Sequence, residues 1–378
     1  MRYVFMDNFR GFSETLLPLK QITFLVGENS TGKSSFLKLL CMLSRPQFWF
    51  SPEYTLQAEA ELGSFGDIVS AWAADKSYFR VGVLSTQLDR KRNDRSCASF
   101  TVHTFTHRNG TPRVSRSIQY TNGRLTKLLF HQKHTKYKIT SVKNTFKTEE
   151  DITRLFLDVV RSDSDDKSGF SLFPDNIPPN LPLPIAVASL RSIDKAKSFS
   201  SGKFDAEIPL ALDLTWIAPI RTKPQRFYDG MKKSFSPEGD HTPFILRRSL
   251  RLRSKSTDFA ERLKAFGKAS GLFETVFPHS FDKSPQSPFE ILVRFVGAEL
   301  NINNVGYGVS QVLPLIVEFL SREKNRTFAV QQPEVHLHPR AQAALGDLVF
   351  QLAKERGHGF LLETHSDYLI DRCRLRMH

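Results

Sequence analysis

Long apolar runs are missing from this chain: nowhere in its 378 residues are there the eighteen or so consecutive apolar positions that a membrane-spanning helix needs. The opening Met1-Arg2-Tyr3-Val4-Phe5-Met6-Asp7 has neither an apolar signal core nor a cleavage site, so the sequence predicts a cytoplasmic protein without membrane association. Cysteine is scarce. Cys41, Cys97 and Cys373 are widely spaced, which argues against a disulfide framework and against a cysteine zinc site. There is no heptad run and no internal repeat, so long coiled-coil arms are not expected. Acidic residues are in deficit and scattered, with no H-N-H or D-x-D cluster, so no intrinsic nuclease centre is expected either. The formal net charge is +14. Between Arg90 and Thr148, fourteen Lys or Arg face the single acid Asp94, and between Arg221 and Lys268 thirteen face five. Both segments are candidate phosphate-contacting surfaces, and nucleic acid is the expected polyanion partner.

Against these absences stands one strong motif. Gly27-Glu28-Asn29-Ser30-Thr31-Gly32-Lys33-Ser34 completes the G-x-x-x-x-G-K-[ST] phosphate loop, which predicts a bound nucleoside triphosphate with Mg²⁺. The glycines let successive N–H groups face the phosphates, Lys33 brings a mobile positive charge, and the Ser34 hydroxyl is a metal ligand. Ile22 to Val26 reads as a buried strand entering the loop, and Ser35 to Leu43 as a helix leaving it. Ser35 therefore sits in the first turn, where the helix dipole favours an anion.

The rest of the chain predicts an α/β protein with insertions. Residues 1–75 carry the first part of the nucleotide core. Within them, Pro46 to Pro52 breaks the helical pattern, and Leu62 to Val69 reads as a loop entering a strand. Residues 76–148 alternate polar and apolar positions and contain Asn109-Gly110 and Asn122-Gly123, which predicts an antiparallel β insertion made of hairpins. Residues 149–204 hold a helix over Glu149 to Arg161, with Ile152, Leu155, Phe156 and Val159 on one face, and a long loop over Ser162 to Pro184. Residues 205–378 form a helical, glycine-signature and C-terminal core segment, including a helix from about Asp258 to Val276 and a strand over Phe289 to Phe295.

Three further motifs lie in this last segment. Gly306-Tyr307-Gly308-Val309-Ser310-Gln311 precedes an apolar helix. Phe328 to Pro339 is a short strand running into Gln331-Gln332-Pro333-Glu334 and His336-Leu337-His338-Pro339. Phe360 to Ser366 is a strand ending in Glu363-Thr364-His365-Ser366. In this order the motifs resemble the ATP-binding-cassette ATPases of the SMC, RecF and OLD group. More narrowly, they resemble stand-alone bacterial AAA-type ATPases of genome maintenance and anti-phage defence, as in Septu and retron systems. Trp216 to Arg221 is similar to a segment of the same subfamily.

The resemblance implies a P-loop head of the ABC type, with an inserted antiparallel β-subdomain and a helical subdomain. It also implies an ATP-dependent homodimer and an effector partner such as a nuclease, with DNA repair as the alternative setting. Lys33 and Ser34 would hold phosphates and Mg²⁺, and Ser310 with Gly308 would meet the nucleotide of a second copy. His365 takes the switch-histidine position, and Arg10 matches an arginine directed toward nucleotide or partner. Gln57 is a candidate Mg²⁺-sensing glutamine.

The chain departs from its relatives at the acidic strand. Where two carboxylates commonly precede the proline, Gln331 and Gln332 stand, and an amide is no general base and a weaker Mg²⁺ ligand. Either Glu334 or Glu363 supplies the missing carboxylate, or nucleotide acts as a slowly hydrolysed or permanent clamp. His336 and His338 share a strand face without a third ligand, so a metal site there is not expected. Glu334 has a competing reading as a cap for the segment that follows it.

Overall fold

The structure, a computed structural model, describes residues 1–50, 62–88, 96–131, 134–142, 146, 148–162, 168–178, 181–195, 209–210, 212–230, 234–251, 256–282, 284 and 286–377. Gln57 and the basic positions Arg90, Lys91, Arg92 and Arg95 lie outside these residues. The chain divides into two units: Met1–Lys20 with Ser30–Leu212, and Gln21–Asn29 with Asp213–His378.

The first unit is built on an eight-stranded antiparallel sheet. With strands numbered along the whole chain, these are β1 (Arg2–Asp7), β2 (Thr15–Leu19), β4 (Phe79–Leu88), β5 (Ser96–Arg108), β6 (Thr111–Thr121), β7 (Arg124–Phe130), β8 (Thr135–Ser141) and β9 (Ser171–Leu172). Their spatial order is β2-β1-β4-β5-β6-β7-β8-β9. Asn109 and Gly110 have φ of 51° and 77°, and Asn122 and Gly123 have 51° and 76°, the left-handed pair that a two-residue hairpin turn requires. The expected meander is therefore present. Along β5 and β6 the alternation points Phe100 and Tyr120 into a core shared with Phe5. Helix α4 (Glu149–Ser162) closes that core, with the Phe156 ring 5.2 Å from both Phe5 and Phe100. Burying one such ring contributes about 2–3 kcal/mol.

The helices α1 (Lys33–Leu43), α2 (Pro46–Phe50), α3 (Phe65–Ile68) and α5 (Leu183–Lys195) complete this unit and correct the sequence reading in three places. Pro46 opens a short helix, because proline in a first turn has no N–H to lose. Residues 62–69 hold a single helical turn, started by a capping box between Ser64 and Asp67. The stretch expected to be a loop ends in α5, whose Leu183, Val187 and Leu190 pack with Leu128 and Ile177.

The second unit has a four-stranded parallel sheet ordered β10 (Leu214–Ile217), β14 (Thr327–Gln331), β15 (Gly359–Glu363), β3 (Ile22–Leu25). Beside it runs a three-stranded antiparallel sheet of β11 (Thr275–Ser280), β12 (Phe289–Phe295) and β13 (Ala298–Asn301). The helices are α6 (Thr242–Arg251), α7 (Ser256–Ser270), α8 (Tyr307–Ser321), α9 (Pro339–Arg356) and α10 (Asp367–Met377). Phe328 and Phe360 on the central strands meet Phe319 of α8 at 4.9 and 5.1 Å. The helix expected to reach Val276 stops at Ser270, because Gly271 takes a φ of 73° and turns the chain into β11.

Candidate functional site

In the first unit the phosphate-loop residues Ser30 and Gly32 have φ of 65° and 97°, and Gly32 is the N-cap of α1. A β-carbon on Gly32 would lie 2.9 Å from the Phe12 ring, so both space and backbone demand glycine there. No side chain caps α1, and Lys33, Ser34 and Ser35 form its first turn. Beneath that turn, Arg10 donates from Nη1 to Ser35 Oγ (2.8 Å) and from Nη2 to the Leu62 carbonyl (2.8 Å). Its guanidinium braces the helix start.

In the second unit β3 ends at Leu25, whose carbonyl accepts from the Thr364 N–H, and Gly27 beyond it takes a φ of 142°. Glu28 and Asn29 are exposed. The main cluster lies at the carboxyl ends of β14 and β15, the edge of a parallel sheet where ligands bind. Parallel register sets Gln331 opposite Glu363. Gln331 Nε2 donates to Glu363 Oε2 at 2.9 Å, and both side chains are only 6 % exposed. A carboxylate thus stands beside the amide that occupies the usual acidic position, contributed by the neighbouring strand.

The next residues are tied to the same edge. Gln332 holds a φ of 45°, a strained value directly before a proline, and its N–H donates to the Glu363 carbonyl at 2.8 Å. Glu334 reaches across: Oε2 accepts from Thr364 Oγ1 (2.7 Å) and Oε1 from the His365 N–H (2.8 Å). Its carboxylate is committed to the β15 end and does not cap the segment after it. The His365 ring is exposed, while Ser366 anchors the strand end by donating to Gln342 Oε1 at 2.6 Å.

Arg221, absent from the expected site set, organises this edge from below. Its Nη2 donates to the carbonyls of Gln331 (3.1 Å) and Gln332 (3.3 Å), and the residue is 3 % exposed. Nε and Nη1 are buried with no hydrogen-bond acceptor among the described residues. Burial pushes the guanidinium down to about 10, against the opposing attraction of Glu334. In the sequence it stood at the end of Trp216 to Arg221 and at the head of the second basic segment, but its burial makes it an internal brace and not part of a phosphate-contacting surface.

The glycine signature packs against the histidine turn of the same unit. A β-carbon on Gly308 would lie 2.8 Å from the His336 carbonyl oxygen, and the Tyr307 and His336 rings are 5.5 Å apart. Ser310 is buried, with its hydroxyl donating to the Tyr307 carbonyl at 3.0 Å. His336 and His338 are exposed, and no group of three metal-ligating side chains occurs among the described residues. The donors that the motifs supply, the Ser34 hydroxyl in one unit and the Gln331 amide and Glu363 carboxylate in the other, are all hard oxygen donors of the type Mg²⁺ takes.

No curated protein matches the chain. Among solved structures it is similar to the Smc head domain with an extended coiled coil bound to the C-terminal domain of ScpA from Pyrococcus furiosus. The identity is 11 %, the TM-score 0.44, and 98 % of this chain and 92 % of that one are covered. It is also similar to the SMC head domain from Thermotoga maritima, at 12 % identity and a TM-score of 0.37, with 98 % and 92 % covered. No helix among the described residues is long and apolar enough to cross a membrane. An AAA ATPase domain family matches residues 1–168. A second family matches residues 137–371, more than half of the chain, and the protein therefore belongs to it: the AAA domain family described as putative AbiEii toxin, Type IV TA system.

Proposed function

We propose that this chain binds ATP with Mg²⁺, pairs with a second copy through the nucleotide, and hydrolyses it slowly to control a separate effector such as a nuclease in bacterial anti-phage defence. Membership of an AAA ATPase family supports nucleotide binding, and the toxin–antitoxin description of that family supports a defence setting. The observation that carries the reading is the carboxyl edge of the parallel sheet, where Gln331 is hydrogen-bonded to Glu363, and Glu334 to Thr364 and the His365 backbone.

Residues Gly27 to Ser35 supply the phosphate cradle, with Lys33 as the mobile charge. Ser34 and Gln331 are the Mg²⁺ holders, and Glu363 makes up the charge that Gln331 lacks. When bound, Mg²⁺ neutralises developing charge on the phosphates. Gln332 orients water as an amide, and Glu334 stands as the carboxylate base, held in place by the Thr364 hydroxyl and the His365 N–H. His365 presents an exposed imidazole to the phosphates, and Arg10 keeps the helix start in place. Gly308 and Ser310 meet the nucleotide of the second copy, for which the Ser310 hydroxyl must leave Tyr307. Nucleic acid is engaged by the basic strands of the first unit, through the half-buried Arg113, Arg116, Lys136 and Lys138.

Sedimentation with and without ATP, together with phosphate release, tests the reading. A monomer–dimer balance indifferent to ATP sinks the sandwich. Dimerisation without any phosphate release favours a second reading, a non-hydrolysing scaffold, for which the Gln331-Gln332 pair is the supporting observation.

A further inference from the structure

We propose that the sheltered hollow between β5, β6 and α5 of the first unit is an oxyanion site with the chemistry of a phosphate group, and that Arg191 is its cationic anchor. The proposal is independent of the ATPase reading, since none of its residues belongs to the phosphate loop or to the acidic edge.

The strand register builds the hollow. Ser99 lies opposite Thr121 and Thr101 opposite Gln119, and Gln119 in turn faces Thr126 on β7. All five therefore share one face of the sheet, while Phe100 and Tyr120 between them point into the core on the other. A run of hydroxyl and amide groups is a poor surface on which to pack a helix, yet α5 covers it. A cavity of about 20 Å³ remains, lined by Ser99, Thr101, Gln119, Thr121 and Arg191.

Arg191 is held rigidly. Nε donates to Thr126 Oγ1 at 2.9 Å, and Nη2 donates to the Gln119 carbonyl at 3.0 Å and the Arg124 carbonyl at 3.5 Å. Nη1 has no partner among the described residues. No carboxylate pairs with this guanidinium among them either, and the charge acting on it, Arg124, has the same sign. Burial pushes it down to about 10, which leaves it charged at neutral pH. A largely desolvated cation without a carboxylate is costly. A tetrahedral oxyanion resolves that cost: it accepts from Nη1 and finds hydroxyl and amide donors on the strand face. Ser99, Gln119 and Thr121 are only half-buried, so the hollow is reachable from outside.

Two sources share this chemistry, free inorganic phosphate and the terminal phosphate of a nucleic-acid strand. The test is run on the full chain carrying Lys33→Ala, so that the phosphate loop does not contribute. Affinities are measured for inorganic phosphate and for one oligonucleotide in its 5′-phosphorylated and 5′-hydroxyl forms. The proposal expects Arg191→Gln to weaken at least one phosphate ligand by about tenfold or more, with Arg191→Lys in between. Dependence for inorganic phosphate alone identifies the free ion, and dependence for the 5′-phosphorylated strand but not its hydroxyl form identifies nucleic acid. If Arg191→Gln does not fold, as judged by circular dichroism, Thr101→Val and Gln119→Leu read the same hollow. No phosphate binding in the Lys33→Ala chain, or binding unchanged in the hollow variants, overturns the site.

Discussion

The two main sheets treat polar residues in opposite ways. In the parallel sheet of the second unit the strand interiors are apolar, as in Phe328-Ala329-Val330 and Phe360-Leu361-Leu362, and polar chemistry begins only where the strands stop, at Gln331 and Glu363. In the antiparallel sheet of the first unit one face is a phenylalanine-rich core, while the other carries Ser99, Thr101, Gln119 and Thr126 along its strands. The difference follows from patterning: the short parallel strands are apolar on both faces and leave only their ends for polar groups, whereas the antiparallel strands alternate and spread polar groups along the face opposite the core, even where α5 covers it. The candidate nucleotide chemistry is therefore an edge property, and the proposed oxyanion site a face property.

The comparison can be broken by substitution. The largest effect is expected from Lys33→Ala, which should abolish ATP-dependent dimerisation by sedimentation while the unfolding midpoint stays near that of the parent. On the edge, Glu363→Gln should cut phosphate release by about a hundredfold if its carboxylate makes up for Gln331. The same assay on Glu334→Gln separates the two carboxylates, and an unchanged rate in both leaves the edge without a catalytic role. In the core face of the antiparallel sheet, Phe156→Ala should cost about 3–5 kcal/mol in denaturant unfolding, because the Phe5 and Phe100 rings lose their shared neighbour.

A smaller, pH-dependent effect is expected on the other face of that sheet. His103 is fully buried against Phe48 and Trp49, and burial pushes its imidazole down to about 3. The unfolded chain takes up this proton near pH 6.5 and the folded one does not, so stability is intact above that pH and falls as the pH drops toward 3. The expected slope is at most about 1.4 kcal/mol per pH unit. His103→Phe should flatten that slope, and equal acid sensitivity in both chains would count against the burial argument. The smallest structural effect is that of Gly308→Ala, whose methyl meets the His336 carbonyl and should cost about 1–3 kcal/mol by thermal unfolding.

Local signals were readable in the sequence wherever their physics is local. Asn-Gly turns, the apolar face of α4 and the glycine at the start of α1 need only neighbouring residues to explain them. The errors arose where a short-range pattern had two outcomes: Pro46 ends one helix but begins another, and Val276 continues an apolar run that Gly271 has already turned into a strand. The sequence named Glu363 as one of two carboxylates that could make up for Gln331, but the contact between them was not legible, because the partners lie 32 positions apart and meet only through parallel register. Arg221 is more distant still, at 110 positions from the Gln331 carbonyl it supports.

By itself, then, the sequence determined the phosphate loop, the order of the motifs and the excess of positive charge, because each is a property of residue type and short spacing. Only the tertiary structure decided where a carboxylate could stand in for Gln331, what holds Gln332 in its strained turn, and where Arg191 lies with no acid beside it among the described residues. Those are matters of register and burial, which arise when strands and helices far apart in the chain are packed against one another.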